Sequence, residues 1–331
     1  MASAADAIGA ASPPELRAVA AAVAQSDALA TARDICRRII DAPRDGSRRT
    51  LLLSDAEYSA NLGNLNCGLD LMHACGFRVE GADRLEWIQL PYAGIEPFAH
   101  HLDPRWTWTC GKGVYAPAVA ETAIALALAL SKNLHSYARA DRWSKPVGRY
   151  LAEARVTILG GGGIAECLLP LLEPFGCPTV VVRRHDRPVA GADRTVTPDL
   201  LPELLPDTDL LVLVLALTAE TRGIVDANTL DLLPDHALLI NVARGRHVVT
   251  DDLVAALAAG RIAGAALDVT DPEPLPDDHP LWSEPRSLST PHVANTPEMG
   301  LALLTPFVED NVRRSLAGRP LLGLVDIVLG Y

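Results

Sequence analysis

Three short segments in the second half of the chain carry side chains that could hold an oxyanion and move a proton. Arg244 lies in Asn-Val-Ala-Arg-Gly, Glu273 in a proline-rich segment, and His292 in Thr-Pro-His. A guanidinium suits paired oxygen acceptors such as a carboxylate and a neighbouring carbonyl. A histidine exchanges protons near neutral pH, and a carboxylate beside it favours the imidazolium and orients the ring.

Each of these residues also has an ordinary explanation. Arg244 could be a surface residue in a turn, Glu273 a charge in a proline-rich loop, and His292 a satisfied core imidazole. All three, however, follow apolar runs that predict buried strands, so they are expected at one edge of a sheet. As a set they predict acid–base catalysis on a substrate oxygen rather than three unrelated structural roles.

A glycine-rich turn precedes these segments. The strand-like run Val156–Leu159 leads into Gly160-Gly-Gly-Gly-Ile-Ala165, and a helical pattern follows from Glu166. In G-x-G-x-x-A the first glycine permits a tight turn, the second lets a pyrophosphate approach the backbone, and the third small residue lets helix and strand pack. A flexible turn is the alternative, but the strand–turn–helix setting favours a dinucleotide site at Gly160, Gly162, Gly163 and Ile164.

The end of the next predicted strand bears on which dinucleotide is bound. An acidic residue there accepts a hydrogen bond from the ribose 2′-hydroxyl of NAD, whereas arginine suits the 2′-phosphate of NADP. The strand Thr179–Val182 is followed by Arg183 and Arg184, which favours NADP(H) over NAD(H). If the strand ran longer, Asp186 would be the ribose acid and the coenzyme would be NAD(H).

Short apolar runs separated by helix-like segments predict the fold class. Such runs are typical of strands buried on both faces, and their alternation with helices predicts a doubly wound parallel sheet of the Rossmann type. The predicted strands are Val156–Leu159, Thr179–Val182, Leu210–Val214, Ala237–Asn241 and Gly264–Asp268. Before them, a mostly apolar pattern from Pro117 to Ala140 predicts a long buried helix.

The front of the chain predicts a second, smaller domain. We expect residues 117–296 to form the dinucleotide-binding domain, and residues 1–116 with 297–331 to form a substrate domain. Strands are expected at Thr50–Ser54 and Trp87–Leu90, and the Ala-rich residues 1–48 predict a helical extension, with helices near 14–25 and 28–40. The short interval between these two strands leaves too little chain for a full flavodoxin-like domain, so a truncated one is expected.

Composition excludes several classes of function. The formal net charge is −12 and no basic cluster is present, which argues against binding to nucleic acid or to an anionic membrane surface. The six cysteines form no C-x-x-C pair, and no cysteine–histidine spacing resembles a zinc site. The first residues lack the features of a signal peptide, and the longest apolar stretch is too short to span a bilayer. We therefore expect a cytoplasmic protein without a bound metal.

The ordered motifs together resemble the D-isomer-specific 2-hydroxyacid dehydrogenase family. The resemblance runs from Trp87-Ile-Gln to the end of the chain, and includes Leu217-Thr218, the segments of Arg244, Glu273 and His292, and Pro280-Leu281-Trp282. It implies hydride transfer between a nicotinamide dinucleotide and a small 2-oxo or 2-hydroxy acid, as in glyoxylate/hydroxypyruvate reductases. It also implies a homodimer formed through the cofactor domain.

The resemblance further implies individual roles. Arg244 should bind the carboxylate and carbonyl oxygen of the substrate, His292 should exchange the proton, and Glu273 should hold His292. Backbone N–H groups of Gly94 and Ile95 should cradle the substrate carboxylate. The remaining coenzyme contacts are expected from Leu217, Thr218, Val242, Ala243 and Asp268.

Three departures from the family pattern are visible, and one of them leaves a second class of function open. Ala165 replaces the more usual last glycine, and Ala216 stands where proline often precedes Leu-Thr. The shortened front is the larger departure, because the substrate domain carries specificity. A catalytically weak, nucleotide-sensing interaction protein on the same fold is therefore the alternative, although the intact set of Arg244, Glu273 and His292 disfavours it.

Overall fold

The computed structural model describes residues 49–52, 85–90, 92–96, 98 and 102–327. These residues form two compact units. One unit lies within residues 1–114 and 301–331, and the other comprises residues 115–300. The predicted helices at 14–25 and 28–40 lie outside the described residues.

The strands of the described part of the chain form two sheets. The smaller sheet contains β1 (Arg49–Leu52), β2 (Leu85–Gln89) and β3 (Thr107–Thr109). The strands of the larger sheet are β4 (Val156–Leu159), β5 (Thr179–Val182), β6 (Arg194–Val196), β7 (Leu210–Leu213), β8 (Leu238–Asn241), β9 (Gly264–Leu267) and β10 (Ser287–Ser289). Neighbouring strands run parallel in both sheets.

The α-helices connect or follow these strands. They are α1 (Ala116–Ser131), α2 (Leu134–Tyr137), α3 (Gly163–Leu172), α4 (Leu201–Leu204), α5 (Ala227–Leu232), α6 (Thr250–Ala258), α7 (Pro280–Ser283) and α8 (Pro297–Leu316). Single 3₁₀ turns are present at Leu151–Glu153, Glu173–Phe175, Pro198–Leu200, Leu205–Asp207 and Gly245–His247.

The larger sheet has the strand order β10-β9-β8-β7-β4-β5-β6. Every residue of β4, β7 and β9 is buried, as expected for parallel strands covered on both faces. Successive side chains contribute to opposite cores: Leu159 packs in one apolar cluster and Ile158 in the other. Small residues of α1, including Ala120 and Ala123, share the second cluster with Leu168 of α3, which lets these two helices approach closely.

The smaller unit has its own apolar core, formed by Ile88, Leu90, Ile95, Phe98, Trp108 and Cys110. A buried polar network crosses it. The side-chain oxygen of Gln89 accepts hydrogen bonds from Thr109 Oγ1 at 2.8 Å and from Asn311 Nδ2 at 3.0 Å. Asn311 also bonds both backbone groups of Leu322, so the segment after α8 is fixed to the core of this unit.

The Rossmann-type α/β fold class is confirmed, and the five strands predicted for the larger sheet are present to within one residue at either end. The predicted long helix is wrong beyond Ser131, because Asn133 adopts a left-handed conformation (φ 56°) and interrupts it. No bounds were predicted for β3, β6 and β10, since three residues are too few to show a pattern. Within the described residues, no helix is both long and apolar enough to cross a bilayer.

Candidate active site

The predicted site residues of the larger unit lie at the carboxyl ends of its parallel strands. The glycine turn follows β4, the arginine pair follows β5, and the segments of Arg244, Glu273 and His292 follow β8, β9 and β10. The chain order of the strands reverses between β4 and β7. In an open α/β sheet, the crevice at such a reversal is the usual site of ligand binding.

The two glycines of the G-x-G-x-x-A motif, Gly160 and Gly162, have different surroundings. Gly160 has φ +112°, and a Cβ there would lie 2.8 Å from the backbone of Leu215, so the fold itself demands glycine. Gly162 has φ −102°, and a Cβ there would meet no described atom within 4 Å. Protein packing does not explain this second glycine, whereas close approach of a phosphate group would.

Helix α3 begins directly after Gly162, so the backbone N–H groups of its first turn, which includes Gly163 and Ile164, are directed at the turn. Together with the positive end of the helix dipole they form a favourable place for an anion. Ala165, the third small residue of the motif, is fully buried against the second core cluster. Both parts of the turn therefore fit the pyrophosphate of a dinucleotide.

The two arginines after β5 have different surroundings. The strand ends at Val182, so Arg183 is the first residue beyond it, and Asp186 follows in an exposed loop. The side-chain stem of Arg183 lies against Gly161, where a Cβ would be 3.0 Å from Arg183 Cδ. Arg184 Nη2 lies 3.4 Å from Glu220 Oε2, in the turn after β7.

The segments after β7 and β8 form the neighbouring part of this edge. Leu217 and Thr218 are half-buried, and Thr218 Oγ1 donates to Glu220 Oε2 at 2.6 Å. Val242 and Ala243 are buried, and the N–H of Ala243 donates to Asn241 Oδ1 at 3.0 Å. Their side chains belong to the cores, so only their backbone is available to a ligand.

His292 and Glu273 form a close polar pair at the site. His292 Nδ1 lies 2.6 Å from Glu273 Oε1, and the side chains are 43% and 37% exposed. Burial acts to raise the pKa of the Glu273 carboxyl, but the hydrogen bond from His292 and the charges of His292 and Arg244 outweigh it. The pKa therefore lies below its ordinary value. Glu273 is a carboxylate at neutral pH and orients the ring so that Nε2 faces away from it.

Asp268 holds the His292 loop. Its carboxylate is 1% exposed and accepts hydrogen bonds from Thr290 Oγ1 at 2.7 Å, Val293 N at 2.9 Å and Ala294 N at 3.0 Å. His292 itself has φ +52°, an unfavourable conformation for a non-glycine residue, and its N–H donates to Asp268 O at 2.8 Å. Within the described part of the chain, the hydrogen bonds to this carboxylate come from the loop. Its predicted contact with a nicotinamide stays a prediction.

Arg244 is tied to the Glu273 loop through the backbone. A Cβ on the following residue, Gly245, would lie 1.8 Å from Thr270 O, so the two loops touch where only glycine fits. Asn241 Nδ2 donates to Arg244 O at 2.9 Å and fixes the turn from the other side. Arg244 Nη1 donates to Ala243 O at 2.7 Å, and the guanidinium charge acts on the Glu273 carboxyl. The structure thus brings Arg244, Glu273 and His292 together.

Gly94 and Ile95 lie in the smaller unit. Ile95 is 1% exposed, packs in the core of that unit, and accepts from the N–H of Phe98 at 2.8 Å. Gly94 is half-buried. The side chain of Ile95 is therefore structural, and the predicted role of both residues concerns their backbone alone.

Two further residues, Gly245 and His247, shape the site but had no role assigned from the sequence. Gly245 permits the contact between the loops of Arg244 and Glu273. His247 is fully buried, and its Nε2 lies 3.2 Å from Leu215 O, which joins the turn after Arg244 to the segment beside Gly160. A single histidine three residues after an arginine gives no pattern that predicts such a contact.

Comparison with known proteins identifies the family. Residues 124–294 match the family model described as D-isomer specific 2-hydroxyacid dehydrogenase, NAD binding domain. The chain belongs to the D-isomer specific 2-hydroxyacid dehydrogenase family. The resemblance noted from the motifs is confirmed, and the larger unit contains the NAD(P)-binding domain of this dehydrogenase family.

The chain is also similar to individual proteins and to solved structures. Over 258 residues the chain is 42% identical to an uncharacterized protein in the proB 3′ region of Corynebacterium melassecola, covering 75% of this chain and 84% of that protein. It is 37% identical over 213 residues to glyoxylate/hydroxypyruvate reductase A of Klebsiella pneumoniae strain 342, covering 61% of this chain and 67% of that protein. The crystal structure of a D-isomer specific 2-hydroxyacid dehydrogenase from Xanthobacter autotrophicus Py2, in complex with NADPH and MES, has a TM-score of 0.67. The two chains are 32% identical, and the matched region covers 75% of this chain and 80% of that chain.

Proposed function

We propose that this dehydrogenase reduces small 2-oxo acids of the glyoxylate and hydroxypyruvate type to D-2-hydroxy acids, with NADPH as the preferred coenzyme. The observation that carries the proposal is the 2.6 Å contact of His292 Nδ1 with Glu273 Oε1, beside the charge of Arg244. A similar reductase in Klebsiella pneumoniae supports the substrate class.

The residues present fit the coenzyme. The open position at Gly162 and the N-terminus of α3 suit the pyrophosphate, because a phosphate group can approach the glycine backbone and meet the free N–H groups of the helix. When bound, a reduced nicotinamide coenzyme supplies the hydride that the substrate carbonyl carbon accepts.

Arg244 binds the substrate carboxylate and carbonyl oxygen, because its planar donors match two adjacent acceptors. As negative charge grows on the carbonyl oxygen, the guanidinium stabilises it. His292, protonated and oriented by Glu273, donates the Nε2 proton to that oxygen and becomes neutral. In the reverse direction neutral His292 accepts the hydroxyl proton, and Glu273 stabilises the imidazolium that forms.

An assay of NADPH oxidation with a panel of short 2-oxo acids tests this proposal. We expect turnover with at least one of them, and we expect His292→Ala to lower kcat by about 10²–10⁴-fold while the thermal midpoint stays unchanged. Undiminished turnover in His292→Ala would remove the histidine from the mechanism. Tight NADPH binding without turnover on any acid would favour the nucleotide-sensing alternative.

The preference for NADPH is supported by the two guanidiniums after β5. Arg183 directly follows the strand and lies along the glycine turn. Replacing Arg183 by Asp should lower the NADPH/NADH ratio of kcat/KM by about 10–100-fold, since a charge-assisted hydrogen bond is lost and a repulsion is added. Arg194→Asp, at the opposite end of the neighbouring strand β6, is the matched control. An unaltered ratio in Arg183→Asp would refute the assignment.

We also propose that the protein is a homodimer through the cofactor domain. The segment after α1 exposes apolar side chains, with Trp143 99% and Tyr150 71% exposed. The segment is nevertheless held in shape, because Tyr137 Oη accepts from Val147 N at 2.6 Å. Light scattering should give a dimer for the full chain and a shift toward monomer for Trp143→Ser. A monomeric wild-type protein would overturn this proposal.

A further inference from the structure

The carboxylate of Glu220 lies beside the arginine pair that follows β5. Glu220 belongs to the turn after β7, and β4 lies between these two strands in the sheet. Glu220 Oε2 lies 3.4 Å from Arg184 Nη2 and accepts from Thr218 Oγ1 at 2.6 Å. The turn that carries Glu220 is well fixed, because Thr221 Oγ1 accepts from Thr218 N at 2.8 Å and donates to Ala216 O at 2.8 Å. These hydrogen bonds hold the Glu220 carboxylate beside Arg184.

We propose that Glu220 limits the preference for NADPH by competing with the 2′-phosphate of that coenzyme for Arg184. The inference rests on the proposed function, which places the adenosine ribose at Arg183 and Arg184. A phosphate group and a carboxylate are both acceptors for the same guanidinium donors, and they repel each other at short range. NADH has a hydroxyl in place of the phosphate, and a nearby carboxylate can accept its hydrogen bond. Glu220 thus weakens NADPH binding and leaves NADH binding unchanged or slightly favoured.

Glu220→Gln tests the charge of Glu220 separately from its size. Glu220→Gln removes the charge but keeps the volume and an oxygen that accepts from Thr218. Both side chains of the ion pair are exposed, Arg184 by 41% and Glu220 by 74%, so no buried group is left unpaired and the fold should be unaffected. Glu173→Gln is the matched control, because Glu173 is exposed at the far end of α3 from the glycine turn.

The experiment measures dissociation constants of the full chain for NADPH and NADH by fluorescence quenching without substrate, and for 2′,5′-ADP and 5′-AMP by calorimetry. We expect Glu220→Gln to tighten NADPH and 2′,5′-ADP by about three- to tenfold and to leave NADH and 5′-AMP within about twofold. The gain should shrink between about 0.1 M and 1 M salt, since the Debye length falls from about 10 Å to about 3 Å. Glu173→Gln should change neither nucleotide pair.

Arg184→Gln decides whether the competition is for that guanidinium. In this background Glu220→Gln should lose most of its effect on NADPH. A full gain in the Arg184→Gln background, or unchanged or weaker NADPH binding in the single Glu220→Gln variant, would overturn the inference while leaving the proposed function intact. A wild-type protein that binds neither NADPH nor NADH would overturn the proposed function and this inference with it.

Discussion

Replacement of Glu273 by Gln tests the proton relay with little structural change. The amide oxygen can still accept from His292 Nδ1 at the 2.6 Å position, so the ring keeps its orientation and loses only the charge beside it. At an effective dielectric constant of about 20, unit charges about 4 Å apart attract by about 4 kcal/mol. Because the two side chains are 43% and 37% exposed, solvent screening leaves about 1–1.4 kcal/mol, or about five- to tenfold in rate.

The pH dependence gives this prediction its sign. Burial acts to raise the pKa of Glu273, but the hydrogen bond from His292 and the charges of His292 and Arg244 outweigh it, so this pKa lies below its ordinary value. The carboxylate and its contribution are therefore present at neutral pH and are lost as the pH falls through the lowered pKa. Because the amide in Glu273→Gln does not titrate, the difference in kcat between wild type and variant should be full at neutral pH and should shrink at the acid end.

Stopped-flow NADPH oxidation from about pH 4 to 8 measures the effect. The variant and wild-type rates should converge at the acid end, where Glu273 is protonated and its charge is lost. Asp278→Asn, an exposed carboxylate in the same loop, is the control and should leave the profile unchanged. A Glu273→Gln rate equal to the wild-type rate at neutral pH would refute a contribution of the Glu273 charge to proton transfer by His292.

Two further predictions concern the glycine turn and the anchor of the His292 loop. Gly162→Ala should keep the thermal midpoint and weaken NADPH binding by about tenfold or more. Gly160→Ala should lower the thermal midpoint, because only this change places a Cβ 2.8 Å from Leu215. Equal thermal midpoints for the two variants would contradict this. Asp268→Asn replaces a buried acceptor of three hydrogen bonds and should reduce the free energy of unfolding by about 2–3 kcal/mol, measured by urea titration; an unchanged urea midpoint would show that the carboxylate is not an anchor.

The central strands of the larger sheet could be predicted because burial on both faces leaves a run of apolar residues. β4 and β7 are such runs, and every residue in each is buried. The edge strands β6 and β10 gave no such signal: Arg194 is exposed in the first, and serines flank the single leucine of the second. Their pairing is supplied by the neighbouring strand rather than by their own composition.

The candidate site was predictable in its side chains and not in its backbone. Arg244 and Glu273 follow the apolar runs of β8 and β9, and His292 was identified from its residue type and from the resemblance of its segment to the family motif. The break after Ser131 was not predictable, because Asn133 in a left-handed conformation interrupts an otherwise continuous helical pattern. Contacts between loops distant in sequence, such as His247 with Leu215, depend on the assembled sheet and have no local signature.

The three proposed catalytic residues depend on one glycine and one buried carboxylate, which fix the positions of the three loops. Gly245 lets the loop of Arg244 pass within contact distance of Thr270, on the loop of Glu273. Asp268 holds the third loop and so compensates for the left-handed backbone of His292, which costs about 1–2 kcal/mol. Because neighbouring parallel strands set the starting points of all three loops, a shift of β9 would move Glu273 relative to both partners at once. The relay geometry is thus a property of the sheet edge as a whole, and substitutions that loosen Asp268 should impair catalysis without touching a substrate.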